Sequence, residues 1–99
     1  MTDKQFNDAF TAAGGWFLLT QFETIADWPG KKTDLIDYLY TKGFDAKEKG
    51  TSTRVSSVLR LIQENRIREA IEKCRDSNII NKQHPEARQI ADDILSRRF

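Results

Sequence analysis

The stretch Thr51–Ser77, TSTRVSSVLRLIQENRIREAIEKCRDS, contains no Gly or Pro and holds five of the eight arginines. Val55, Val58, Leu59 and Ile62 fall at i, i+3, i+4 and i+7, which is one face of an α-helix. Ile67, Ala70, Ile71 and Cys74 repeat the pattern after a step of five residues. The apolar face therefore turns by roughly 120° between the two runs. Asn65, a poor helix former, sits at the slip, so a break is expected near Glu64–Arg66, with Asn65 as a cap of the second segment. Thr51, Ser52 or Thr53 offers an N-cap hydroxyl, with Gly50 ending the loop before it.

Further patterns flank this stretch. Thr2-Asp3-Lys4-Gln5 fits a capping box and is followed by an apolar stripe, Phe6, Ala9, Phe10 and Ala13. Gly14-Gly15 should end that helix. Trp16 to Trp28 is apolar nearly all round, which belongs at the centre of a fold. Pro29-Gly30 marks a turn, and Thr33 is the expected N-cap of a helix burying Leu35, Ile36, Leu39 and Tyr40. Gly43 suits a left-handed residue past the helix end, with Phe44 making the accompanying apolar contact. Asp45–Gly50 reads as a charged loop. Ser77–Gln83 reads as a connector whose Ile79 and Ile80 plug the core. Pro85 suits the first turn of a last helix carrying Ala87, Ile90, Ala91, Ile94 and Leu95. The expectation is all-α: a single domain over residues 1–99, a compact bundle of five or six short helices. Thr33–Lys42 followed by Thr51–Glu64 would make a helix-turn-helix variant, although its connector is longer than the usual 3–4 residues.

Composition narrows the function classes. Charged residues make up 31% and the net charge is +1, so charge alone names no partner. The halves differ. Residues 1–50 hold six lysines and no arginine against eight acids; residues 51–99 hold eight arginines and two lysines against seven acids. Nine of the ten aromatics precede Gly50. No apolar run is long enough to span a membrane. The start, MTDKQFND, lacks the pattern of a signal peptide, and a cytoplasmic location is the default expectation.

One His and one Cys give little for catalysis or for metal binding, and no cofactor, metal or catalytic residue is expected. Cys74 lies on an apolar face and reads as a core residue. The leading expectation is a small, non-enzymatic macromolecule-binding domain that binds nucleic acid through Thr53, Arg54, Ser56, Ser57 and Arg60, since hydroxyls and guanidinium forks suit phosphates and base edges. In that reading Arg54 and Arg60 flank the polar side with Ser57 between them. The competing reading makes these arginines ordinary solvated residues paired to Asp or Glu. The alternative function is a small regulatory or inhibitor protein whose protein partner, or second copy in a homodimer, is contacted through Tyr38, Arg68 and Arg75, residue types enriched at interface hot spots.

Overall fold

Seven helices and no strand make up the computed structural model, which describes residues 1–99. They are α1 (Asp3–Ala13), α2 (Gly15–Ala26), α3 (Lys32–Tyr40), α4 (Glu48–Gln63), α5 (Ile67–Arg75), α6 (Asn78–Gln83) and α7 (Ala87–Arg98). The radius of gyration is 12.8 Å, close to the value of about 13 Å for one globule of this length.

Helix α4 packs against α1, α2, α3 and α5, and α2 packs against α1, α4, α5 and α7. These two helices carry the centre of the core: Phe17, Leu18, Leu19, Phe22 and Ile25 from α2, and Val55, Val58 and Leu61 from α4. The expected central role of the apolar α2 is what the structure has. Leu59 and Ile62 are only half-buried, and Leu61 takes a place the stripe did not assign to it.

Local signals set most boundaries. The Thr2 hydroxyl accepts from Gln5 N at 3.1 Å, and Gln5 Oε1 accepts from Thr2 N at 2.9 Å, closing the capping box. Gly14 ends α1 with φ +80°, a region that L side chains rarely adopt. Between α4 and α5 the chain breaks where the stripe slips. Asn65 takes φ +58°, Asn65 N donates to Ile62 O at 3.0 Å, and Arg66 N donates to Leu61 O at 2.9 Å. That pair of bonds is a Schellman closure. Asn65 thus finishes α4 rather than capping α5, whose N-cap is Arg66.

Four other expectations are corrected. Helix α4 begins at Glu48, not among Thr51–Thr53, and Gly50 lies in its first turn. The Asp45 side chain folds back onto that turn, and a Cβ on Gly50 would meet it at 3.0–3.2 Å. Thr51 Oγ1, fully buried, donates to Asp45 Oδ2 at 3.1 Å instead of capping. Helix α3 starts one residue before Thr33, with Lys31 as N-cap. The supposed connector Ser77–Gln83 is α6, capped by Ser77 Oγ accepting from Ile80 N at 3.2 Å; this extra short helix brings the count to seven. Ile80 packs against the core, but Ile79 is 71% exposed, because one turn of a surface helix cannot bury two adjacent side chains on the same side. Helix α7 begins at Ala87, two residues past Pro85.

Candidate functional site

The arginines and hydroxyls of α4 divide between two sides of the helix. On one side Arg54 turns inward. Its Nε donates to Asp45 Oδ1 at 3.0 Å and Oδ2 at 3.1 Å, and its Nη1 donates to the Ala13 carbonyl at 2.8 Å. The guanidinium lies 5.8 Å from the Phe17 ring centroid. Ala13 O is one of the unpaired carbonyls at the α1 C-terminus, where a cation is favoured by the helix dipole. A Cβ on Gly14 would collide with Arg54 Nη1, so a glycine there serves both the backbone angle and the close approach. Arg54 is thus bound into the junction of α1, α4 and the loop before α4, apart from the other four residues of its expected set.

Those four lie together on the adjoining face of α4. Lys49, Ser52, Thr53, Ser56, Ser57 and Arg60 line a groove of about 540 Å³ between α4 and α1. Ala9 and Ala12 form part of the α1 wall, together with Asp8, whose carboxylate pairs with Lys4 at 3.2 Å. Thr53 and Arg60 are exposed, while Ser52, Ser56 and Ser57 are half-buried. Thr53 Oγ1 donates to Lys49 O at 3.1 Å, and Ser57 Oγ donates to Thr53 O at 2.9 Å. These two hydroxyls spend their protons on the helix backbone and offer lone pairs outward. Ser56 Oγ accepts from Lys32 Nζ at 2.8 Å, which sets a third cation against the α3 edge of the groove, outside its lining.

Lys32, Lys49 and the two alanines are the parts that sequence reading missed. Lys49 falls in the expected loop Asp45–Gly50, yet it stands on α4 one turn before Thr53. Ser52, a cap candidate by its hydroxyl, lines the groove instead. On the α3 side, Lys49 and Ser52 also border a smaller hollow with Thr33, Ile36 and Glu48. There the Glu48 carboxyl is held above its ordinary range by a hydrogen bond with Asp37 and by that group's charge.

The residues of the alternative surface are not brought together. Tyr38, on α3 and 43% exposed, stacks on Trp28 with ring centroids 5.4 Å apart, and Lys42 Nζ lies 4.9 Å from its ring. Arg68 is exposed on α5. Arg75 binds its neighbour Asp76 at 3.0 Å, which raises the guanidinium pKa and lowers that of the carboxyl. No contact joins Tyr38 to either arginine.

Cys74 is buried, its Sγ donates to Gly15 O at 3.4 Å, and burial pushes the thiol up to about 12. A thiol so held is a poor nucleophile at neutral pH. His84 stacks flat on Trp16, 3.7 Å between centroids. No three His, Cys, Asp or Glu side chains gather as a metal site, and no helix is long and apolar enough to cross a membrane. Comparison with family models, with curated proteins and with solved structures found no match for the chain.

Proposed function

We propose that the protein is a small, non-enzymatic nucleic-acid-binding protein whose contact surface is the groove between α1 and α4. The observation that carries this reading is the convergence of Lys49, Arg60 and Lys32 on a recessed wall of four hydroxyls, Ser52, Thr53, Ser56 and Ser57. Lys and Arg supply the phosphate contacts that dominate affinity, and small hydroxyls add short-range donors and acceptors. Relative to the sequence-derived set, Arg54 leaves the contact surface and Lys32, Lys49 and Ser52 join it. In this reading α3, joined to α4 by the connector Thr41–Lys47, borders the contact surface through Lys32, and the pair is not used as a duplex-reading helix-turn-helix.

The test is the double variant Lys49→Ala plus Arg60→Ala, checked for folding by circular dichroism. Binding to mixed-sequence oligonucleotides should weaken. The slope of log affinity against log salt should flatten by about 0.7–0.9 for each phosphate contact removed. A folded double variant with unaltered affinity and slope would remove the groove from consideration.

A further inference from the structure

We propose that the nucleic acid taken by the α1–α4 groove is single-stranded, and that one of its bases stacks on Tyr38 at the Trp28–Tyr38 platform. This rests on the nucleic-acid reading above and goes beyond it in naming the strand state and a second contact point.

Shape is the first argument. A duplex is read by an element that protrudes into a major groove about 12 Å wide. Helix α4 is flanked by α1 and α3, which both pack against it, and the hydroxyls it presents line a groove against α1 rather than a free ridge. Three of the four hydroxyls are half-buried. A flexible strand can enter such a recess.

Hydrogen-bonding polarity is the second. The Thr53 and Ser57 hydroxyls already donate to backbone carbonyls, so they face the groove as acceptors. Acceptors repel phosphate oxygens but suit the N–H groups on the edges of unpaired bases. The phosphates are left to Lys32, Lys49 and Arg60. A wall that alternates acceptors with cations matches a strand whose bases and backbone are both exposed.

The platform is the third. Trp28 and Tyr38 are stacked, and Trp28 Nε1 donates to Lys31 O at 3.1 Å, which holds the start of α3 against the indole. Tyr38 is 43% exposed, and a base stacking there takes the place of the exposed Lys42 side chain, whose ammonium lies 4.9 Å from the ring centroid. Lys32 stands between the platform and the groove: it borders a hollow with Trp28 and Leu59, and its Nζ donates to Ser56 Oγ. Aromatic faces interleaved with cations are the recognition chemistry of single strands, indifferent to sequence because every base has a π-face.

The experiment is fluorescence anisotropy with labelled oligo(dT), oligo(U) and a mixed-sequence duplex, each of about 16 nucleotides per strand. The full chain is used as wild type, Tyr38→Ala and Tyr38→Phe. Wild type should bind one or both single strands about tenfold more tightly than duplex, and the better of the two identifies the strand as DNA or RNA. Tyr38→Ala should lose about tenfold on that strand while Tyr38→Phe, which keeps the ring, stays near wild type. Equal or tighter binding to duplex overturns the single-strand assignment and leaves the groove reading standing. Equal affinities of Tyr38→Ala and Tyr38→Phe overturn the stacking site. Absence of binding to all three probes removes the nucleic-acid reading itself, and this proposal with it.

Discussion

Arg54 and Arg60 stand six residues apart on α4 and live in different chemistry. Arg54 is half-buried and saturated by Asp45 and the end of α1, whereas Arg60 is exposed in the groove with no carboxylate bound to it. The two sides of one helix therefore separate a structural clamp from a free surface. The contrast teaches that an arginine's role is set by what lies across from it. Neither the Ala13 carbonyl, 41 residues away, nor the fold-back of Asp45 is visible in the helical periodicity of α4.

The sharpest way to break the clamp side is Gly14→Ala. It combines an unfavourable backbone angle with a collision against the guanidinium, and should destabilise by about 3–5 kcal/mol in urea unfolding. A loss below about 1 kcal/mol would show that the junction relaxes freely.

Arg54→Ala comes next, at about 2–3 kcal/mol, because Asp45 and Ala13 O lose a charge-assisted partner. Arg54→Lys should recover only part, since an ammonium cannot bond Asp45 and the carbonyl with the same fork. The groove side predicts the opposite: Arg60→Ala and Ser57→Ala should each change stability by less than about 0.5 kcal/mol. Equal costs for Arg54→Ala and Arg60→Ala would erase the distinction between the two sides.

A smaller effect is expected where α4 stops. Asn65→Ala places a β-carbon residue at φ +58° without the side chain that tolerates it, and should cost about 1 kcal/mol. Asn65→Gly should be neutral or slightly stabilising. Thermal unfolding of the pair distinguishes this end-of-helix role from a cap of α5, in which Gly and Ala would both lose the capping oxygen.

The smallest effect is electrostatic. In the folded protein the Glu48 pKa lies above its ordinary value of 4.5 because Asp37 hydrogen-bonds to it and bears like charge. The folded state thus holds that proton more tightly than the unfolded chain. The stabilisation is complete below about 4.5 and is lost as pH rises through the folded value. Asp37→Asn should flatten this decline in urea midpoints measured across mildly acid to neutral pH, and an unaltered profile would contradict the pairing.

What the sequence disclosed and what it withheld follow the same division. The capping box at Thr2 and Gln5, the interruption at Gly14, and the break beside Asn65 were legible because each depends on residues within a few positions. The hydroxyl face of α4 was legible for the same reason. The groove was not, since its other wall is α1 and the cation at its edge comes from α3. Gly50 misled because glycine ordinarily punctuates; here it makes room for the Asp45 carboxylate. Arg97 and Arg98 fit the dipole at the α7 end, yet they also bind Glu23 on α2 and Asp27 at its C-cap, and Arg98 draws the Asp27 pKa down.

The solitary thiol supplies a clock. Cys74 is sealed on the inner side of α5, tied to the carbonyl of Gly15. An alkylating reagent must wait until α5 parts from α2 before it can react. The reaction rate of the unaltered protein then counts those openings, and comparison with the rate of an unfolded peptide converts the count into a free energy for that one seam. No label need be engineered, and no second cysteine blurs the signal.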